Sequence, residues 1–235
     1  KTKISDRHLH SVSDLKDKLG LHKSDLTIEG YDISHLSGSN AVASCIRFNE
    51  AGPDKKLYRT YNIPSELSGN DIGSLVNALR RRVSSKDNRS LPDIILIDGG
   101  QIQLNAALNV LKSLNINLPI VLSIVKGSKR VRASETILSQ DGIIEMPVGS
   151  SGFRLLQQVR DESHRFALEA SRKKKQNELK YSELNKANGV GPIIKKRLLK
   201  KFKNINNIKN ASDHELQSVK GVSIKLCERI QQALN

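Results

Sequence analysis

The chain has 235 residues, enough for one mid-sized domain and a small one, and its 39 Lys and Arg against 24 Asp and Glu give a formal net charge of +15. A surplus of that size favours a polyanionic partner, because Lys and Arg placed on phosphates release condensed counterions. Two distant cysteines, Cys45 and Cys227, indicate neither a disulfide framework nor a zinc site, and no apolar run reaches the length of a membrane span.

Residues 1–24 are polar, contain three His and hold a weak amphipathic segment at Val12–Leu19. We interpret them as a lead-in or the remnant of a preceding domain. Position 1 is Lys rather than Met, so we expect part of a longer protein, and the lack of a signal peptide fits a cytoplasmic, reducing setting.

The next segments alternate between apolar and polar residues and end in turn residues, which predicts strands. The three predicted strands are Leu26–Ile33, Ala41–Phe48 and Leu57–Ile63. The turn chemistry of Asn49–Asp54 joins the second and third strands in a hairpin.

The segments that follow alternate between helical periodicity and apolar runs typical of buried strands. They are a helix at Asp71–Val83, a central strand within Pro92–Gly100, a helix at Gln101–Leu114, a strand at Pro119–Val125, a short hairpin of Thr136–Leu138 and Ile143–Met146, and a long helix at Ser151–Leu179. This order predicts an α/β fold of the ribonuclease H-like kind, a mixed sheet with flanking helices.

We predict a linker at about residues 176–183, after the basic run Arg172–Lys175. It divides the chain into a first domain of residues 1–178 and a small all-α domain of residues 184–235. From Lys180 onward the sequence has 12 Lys and Arg against four Asp and Glu, which is +8 of the net charge of +15. The small domain is therefore the more basic part.

Two aspartates close predicted strands. Asp32 lies near the end of the first strand, where a turn aspartate is the alternative interpretation. Asp98 ends the central strand before Gly99 and Gly100, where ligand sites of sheets lie, although it could also cap the next helix. If the two strands are neighbours, the carboxylates face each other and need a hard cation between them, which predicts Mg²⁺ or Mn²⁺.

Two further residues are candidates for the same site. A helical wheel places His164 off the buried stripe of Leu155, Val159 and Phe166, so it is either a site residue or a solvated surface histidine. Asp71 opens a helix, where an acidic residue also favours the helix dipole without any catalytic role.

The small domain repeats a glycine-containing turn between helical segments, in the pattern of tandem helix–hairpin–helix motifs. Such turns also serve as plain connectors, but a doubled motif flanked by basic residues favours binding to the DNA backbone without sequence preference. The candidate DNA-binding residues are Gly189, Val190, Gly191, Lys195, Lys196, Arg197, Lys200, Gly221, Val222 and Ser223. Ser223 replaces the second glycine, so we expect a weaker grip on phosphate there.

Together these motifs resemble the C-terminal half of the UvrC family, the incision subunit of bacterial nucleotide excision repair. The matching segments are Tyr31–His35, Pro92–Gly100, Gln103–Ala107, Leu155–Ala167 and both hairpins. In order and spacing they agree with the family over about residues 26–235. The family's N-terminal GIY-YIG nuclease domain and its UvrB-binding motif are not expected in this sequence.

The resemblance implies a metal-dependent DNA endonuclease that makes the incision 5′ of a lesion. It makes Asp32 and Asp98 metal-site carboxylates and His164 a metal ligand or proton shuttle, and it adds Asp71, which matches only the second acid of a Gly-Asp-Asp segment. The implied partners are damaged double-stranded DNA or a single/double-strand junction, and UvrB. The alternatives are a non-catalytic DNA-binding module that keeps this fold, and another ribonuclease H-like nuclease or resolvase.

Overall fold

The computed structural model describes residues 6–34, 41–84, 90–116, 119–126 and 135–234. Its helices are α1 (Asp6–Leu19), α2 (Asp71–Ser84), α3 (Gln101–Ser113), α4 (Ser151–Asn185), α5 (Pro192–Phe202), α6 (Ile205–Lys209), α7 (Asp213–Gln217) and α8 (Ile224–Leu234). Its strands are β1 (Ile28–Ser34), β2 (Val42–Asn49), β3 (Gly52–Pro53), β4 (Arg59–Asn62), β5 (Ile94–Asp98), β6 (Ile120–Lys126), β7 (Glu135–Ser139) and β8 (Gly142–Ile144). Within these ranges no helix is long and apolar enough to cross a membrane.

The strands form one mixed sheet in the order β3-β2-β1-β5-β6-β7-β8, and β4 also pairs with β2. The central pairs β1–β5 and β5–β6 are parallel, whereas β1–β2, β2–β4, β6–β7 and β7–β8 are antiparallel. The predicted α/β fold and its β2–β4 hairpin are confirmed, with the two-residue strand β3 inside the turn. His35, in the first matching segment, lies outside the described residues.

Helices cover both faces of the sheet, so the central strand β5 is buried on each side. Ile94 and Leu96 belong to one core cluster with residues of α1 and α4, while Ile95 and Ile97 belong to a second with residues of α2 and α3. The alternation of side chains along a strand produces this division. It explains why the predicted central strand is a continuous Ile/Leu run.

Helix α1, within the polar N-terminal segment, packs into the core of this domain and is not merely a lead-in to it. Val12 and Leu15 of α1 are buried in the same core cluster as Phe153 of α4. A Cβ on Gly152 would lie 2.9 Å from the backbone nitrogen of Leu15, so glycine at this position permits the close approach. Only a narrow apolar stripe faces the core, which is why the sequence alone gives a weak signal here.

The predicted linker at residues 176–183 is instead part of α4, which continues to Asn185. This stretch contains no Gly or Pro and is rich in Glu, Lys, Leu and Gln, which favour helix even where no apolar face is needed. The chain divides into two units, Lys1–Ser171 and Arg172–Asn235. The second unit is helical, and its core includes Leu184, Leu198 and Ile230.

Candidate functional site

The pairing of β1 with β5 brings two carboxylates together. The parallel register aligns Ile28 with Ile94 and Tyr31 with Ile97. One residue further along each strand come Asp32 and Asp98, at the carboxyl ends of neighbouring strands. The sequence predicted that Asp32 and Asp98 would face each other if their strands were neighbours, and β1 and β5 are neighbours.

Helix α4 crosses close to β1 and supplies the third polar group. An ideal Cβ on Gly30 would lie only 2.8 Å from Cγ1 of Val159, so only glycine permits this approach without a shift. One turn later, Nδ1 of His164 lies 3.3 Å from Oδ2 of Asp32. The His164 side chain is 55% exposed, as expected for a residue off the buried stripe, whereas that of Asp32 is 8% exposed.

Ser44 connects the strand and the helix that carry these groups. It lies opposite Asp32 in the antiparallel β1–β2 ladder and is fully buried. Its hydroxyl donates to the carbonyl oxygen of Ser163 at 3.0 Å and lies 3.4 Å from the carbonyl oxygen of Asp32. Sequence reasoning did not single out Ser44, because a serine within an apolar strand carries no motif.

The cluster is suited to a divalent cation. One ligand atom each from Asp32, Asp98 and His164 lies within 4.8 Å of the other two. Burial raises the pKa of the Asp32 carboxyl, the neighbouring His164 lowers it, and the charge of Asp98 raises it further. A cation between the two carboxylates would relieve that repulsion, and carboxylate oxygens are ligands that Mg²⁺ and Mn²⁺ accept.

Asp71, the fourth candidate, lines a small cavity of about 40 Å³ together with Asp32 and Asp98. It does not belong to the group whose ligand atoms lie within 4.8 Å of one another. The first residue of α2 is therefore near the cluster but outside its closest contacts. Gln103 of α3 also lines the cavity and was not singled out as a site residue from the sequence.

The loop after Asp98 is held by side chains around it. Gln103 Oε1 accepts a hydrogen bond from the backbone N–H of Gly100 at 2.9 Å. The Ser123 hydroxyl donates to the carbonyl oxygen of Gly99. A Cβ on Gly99 would lie 3.0 Å from the Gln103 side chain, so the glycine leaves room for this contact.

A buried ionic network anchors α2 to the sheet. Glu29 on β1 is fully buried and accepts hydrogen bonds from Arg47 at 3.0 Å and from Arg82 at 2.9–3.1 Å. The Tyr31 hydroxyl donates to the same carboxylate at 3.0 Å, and Tyr31 also lines the cavity near Asp32. Charged residues inside the predicted strands are the sequence signal that could have revealed this network, but we did not predict the network from them.

In the second unit, the two hairpins have the same local backbone. Gly189 and Gly221 have φ values of +92° and +97°, a region that favours glycine. Gly191 has φ −71° and free space at its Cβ position. Ser223, its counterpart in the second hairpin, therefore meets no backbone requirement for glycine.

Comparisons with known families match both parts of the chain. A family model described as the UvrC RNAse H endonuclease domain matches residues 16–168. A second, described as a SAM-like helix-hairpin-helix tandem, matches residues 181–235.

Curated relatives share the sequence over most of its length. The "UvrABC system protein C" of Mannheimia succiniciproducens is 38% identical over 229 residues, which cover 94% of this chain and 38% of that protein. The protein of the same name from Haemophilus influenzae Rd is 38% identical over 239 residues, covering 99% of this chain and 39% of the relative. The chain thus spans about two fifths of the length of these relatives.

Among solved structures, the catalytic domain of human Endonuclease V is similar with a TM-score of 0.39 and 12% identity, over 65% of this chain and 85% of that chain. A Ciona intestinalis Endonuclease V in complex with inosine-containing DNA has a TM-score of 0.33 and 16% identity, over 55% of this chain and 61% of that one. Scores this low support no conclusion about function. The family match spans well over half of the chain and includes Asp32, Asp98 and His164, and the chain therefore belongs to the UvrC RNase H endonuclease domain family.

Proposed function

We propose that this chain is the nuclease and DNA-binding part of a nucleotide excision repair enzyme, and that it makes the incision 5′ of a lesion. The observation that carries the proposal is the cluster of Asp32, Asp98 and His164 within 4.8 Å, inside a domain of the UvrC endonuclease family. The name of the relatives, UvrABC system protein C, supports a role in the same repair system.

Asp32 and Asp98 hold a divalent cation, Mg²⁺ or Mn²⁺, at the carboxyl ends of β1 and β5. A cation held there supplies an activated water and neutralises charge that develops on a DNA phosphate. Burial raises the pKa of the Asp32 carboxyl, and a cation beside it would favour the charged carboxylate. Asp71, which lines the same cavity, is the third acidic residue we assign to catalysis.

His164 is the third ligand in this proposal. Its Nδ1 lies beside Asp32 Oδ2, and its ring is exposed enough for a substrate to reach. The alternative is a proton shuttle to the leaving 3′-oxygen, which requires an imidazole near the phosphate but no metal contact. One measurement distinguishes the two roles. Removing His164 lowers the metal affinity if it is a ligand and leaves the affinity unchanged if it is a proton shuttle.

The second unit binds the DNA backbone through its two hairpins. The backbone N–H groups near Gly189–Gly191 and Gly221–Ser223 lie at the starts of α5 and α8, where helix N-termini favour phosphate. Exposed basic residues of α5, Lys196 and Lys200, add positive charge beside the first hairpin. The substrate we propose is damaged double-stranded DNA or a single/double-strand junction, engaged together with UvrB.

We propose a functional division into a nuclease domain within residues 1–178 and a DNA-binding domain at residues 184–235. Leu184 is fully buried in the core of the second unit, which supports including it in the second domain. Helix α4 runs through the boundary between the two regions.

A nicking assay tests this function. An end-labelled duplex with one bulky lesion is incubated with the chain and Mg²⁺, Mn²⁺ or a chelator, with and without UvrB, and the nick is mapped to the nucleotide. We expect a metal-dependent nick on the 5′ side of the lesion. A nick only on the 3′ side, or one that persists in chelator, would refute the assignment. DNA binding without any nick under all conditions would favour the non-catalytic alternative.

A further inference from the structure

The two hairpins of the second unit are copies related by a shift of 32 positions. Gly189 and Gly221 correspond, and both have positive φ values. In the first copy the Val190 N–H donates to the carbonyl oxygen of Ala187 at 3.2 Å, and in the second the Val222 N–H donates to that of Val219 at 3.0 Å. The same backbone turn is thus built twice.

Each hairpin lies against the helix that follows the other hairpin. An ideal Cβ on Gly221 would lie 3.5 Å from Nη1 of Arg197 in α5. An ideal Cβ on Gly189 would lie 3.4 Å from Nη1 of Arg229 in α8. Arg197 and Arg229 are themselves 32 positions apart, so the contact is reciprocal.

Arg197 also makes a directed hydrogen bond across this interface. Its Nη1 donates to the carbonyl oxygen of Lys220 at 2.6 Å, between residues 23 positions apart. The peptide bond from Lys220 to Gly221 is trans and planar, so its N–H points opposite to its carbonyl. By holding the carbonyl, Arg197 fixes the direction of the Gly221 N–H.

We propose that Arg197 is a positioning residue that aims the Gly221 N–H of the second hairpin at a DNA phosphate, rather than a phosphate ligand itself. This inference rests on the proposed DNA binding by the hairpins. It separates Arg197 from its neighbour Lys196: both are exposed and charged on the same helix, but of the two only Arg197 has a described hydrogen bond to the second hairpin. The two hairpins then bind two phosphates as one unit, because each hairpin lies against the helix that follows the other hairpin.

The first test uses the free protein and needs no DNA. Amide ¹H–¹⁵N spectra and hydrogen exchange are compared for the wild type, Arg197→Gln and Lys196→Gln. We expect Arg197→Gln to shift the Gly221 amide signal and speed its exchange while Gly189 stays unchanged, and Lys196→Gln to move neither. Because Arg229 lies beside Gly189, Arg229→Gln should shift the Gly189 amide signal and leave that of Gly221 unchanged. An unchanged Gly221 signal in Arg197→Gln would overturn the proposal.

The second test measures the affinity of the full chain for duplex DNA at several salt concentrations. We expect Arg197→Gln to weaken binding by about tenfold, the worth of one hydrogen bond to a charged group, with an unchanged slope of log affinity against log salt. Lys196→Gln should instead reduce the slope by about 0.9, the value for one phosphate contact. An equal loss of slope in Arg197→Gln would make it a phosphate ligand and refute the positioning role. Absence of DNA binding by the wild type would refute the proposed function, while the amide spectra would still decide the role of Arg197 within the free protein.

Discussion

Nδ1 of His164 lies 3.3 Å from Oδ2 of Asp32, although the two residues are 132 positions apart. One is a half-exposed residue of helix α4 and the other a buried residue of strand β1. Their proximity depends on the glycine at position 30, which lets Val159 approach the strand. Several predictions about the metal site depend on this pair and its surroundings.

Replacing His164 with Ala should reduce nicking without reducing stability. The side chain is 55% exposed, so its removal leaves no core cavity, and the thermal midpoint should match that of the control His22→Ala, another exposed histidine. We expect the cleavage rate to fall by about 10²-fold or more. A simultaneous loss of Mn²⁺ affinity in a calorimetric titration would identify a ligand, and a retained affinity would identify a proton shuttle. A large drop in melting temperature would show a structural histidine.

Replacing Asp98 with Asn should abolish nicking and also raise the melting temperature of the metal-free protein. The charge of Asp98 raises the pKa of Asp32, which means that the two carboxylates repel each other when no cation is bound. For a chain of this size, each kcal/mol of repulsion that is removed raises the melting temperature by about 2–4 °C. The nicking assay measures the loss of cleavage. Calorimetric melting at neutral pH, with chelator and then with Mn²⁺, measures the melting temperature of the metal-free protein and its rise when the cation is added. If Mn²⁺ stabilises Asp98→Asn as much as the wild type, Asp98 is not a ligand.

Replacing Ser44 with Ala should weaken metal binding without unfolding the domain. The Ser44 hydroxyl on β2 donates to the Ser163 carbonyl, one residue before His164, and so holds α4 against the strand that pairs with Asp32. Groups that orient metal ligands typically contribute about 10–100-fold in affinity. The matched control is Ser171→Ala, which removes the same atom from a buried site in α4 where, within the described residues, Oγ has no hydrogen-bond partner. Equal Mn²⁺ affinities for the two variants would contradict the positioning role of Ser44.

Replacing Arg82 with Met should destabilise the protein strongly. Arg82 and Arg47 both donate to the fully buried Glu29 carboxylate, and without Arg82 only one guanidinium and the Tyr31 hydroxyl remain to satisfy it. Removing one partner of a buried ion pair costs about 3–5 kcal/mol. Urea unfolding of Arg82→Met is compared with that of Arg80→Met, an exposed position two residues earlier in α2. A difference below about 1 kcal/mol between the free energies of unfolding of the two variants would show that the buried ionic network contributes little to stability.

Removing residues 184–235 should weaken DNA binding and flatten its salt dependence, while the sheet domain still folds. Positions from Lys180 onward account for +8 of the net charge of +15, and the salt slope counts the phosphates neutralised. The cut removes Leu184, a fully buried residue of the core of the second unit. Far-ultraviolet circular dichroism checks folding, and binding titrations at several salt concentrations give the slope. If log affinity falls with log salt at the same slope for the full and shortened chains, the main DNA contacts lie outside residues 184–235.

The amino-acid sequence by itself determined the order of elements, the buried central strand and the candidate residues Asp32, Asp98 and His164. Local patterns carry this information, because apolar periodicity reports the secondary structure and a short motif reports its own residues. The packing of the weak amphipathic segment of α1 into the core and the continuation of α4 to Asn185 were not predicted, because a narrow apolar face and a polar helical segment give little periodic signal.

Tertiary structure alone decided which of these residues meet. The parallel pairing of β1 with β5 sets Asp32 beside Asp98, and the crossing of α4 over Gly30 brings in His164, while Asp71 stays at the edge of the cavity. The roles suggested for Ser44 and Arg197 come from hydrogen bonds between residues 119 and 23 positions apart. No local pattern encodes such contacts, because they depend on how separate elements pack against each other.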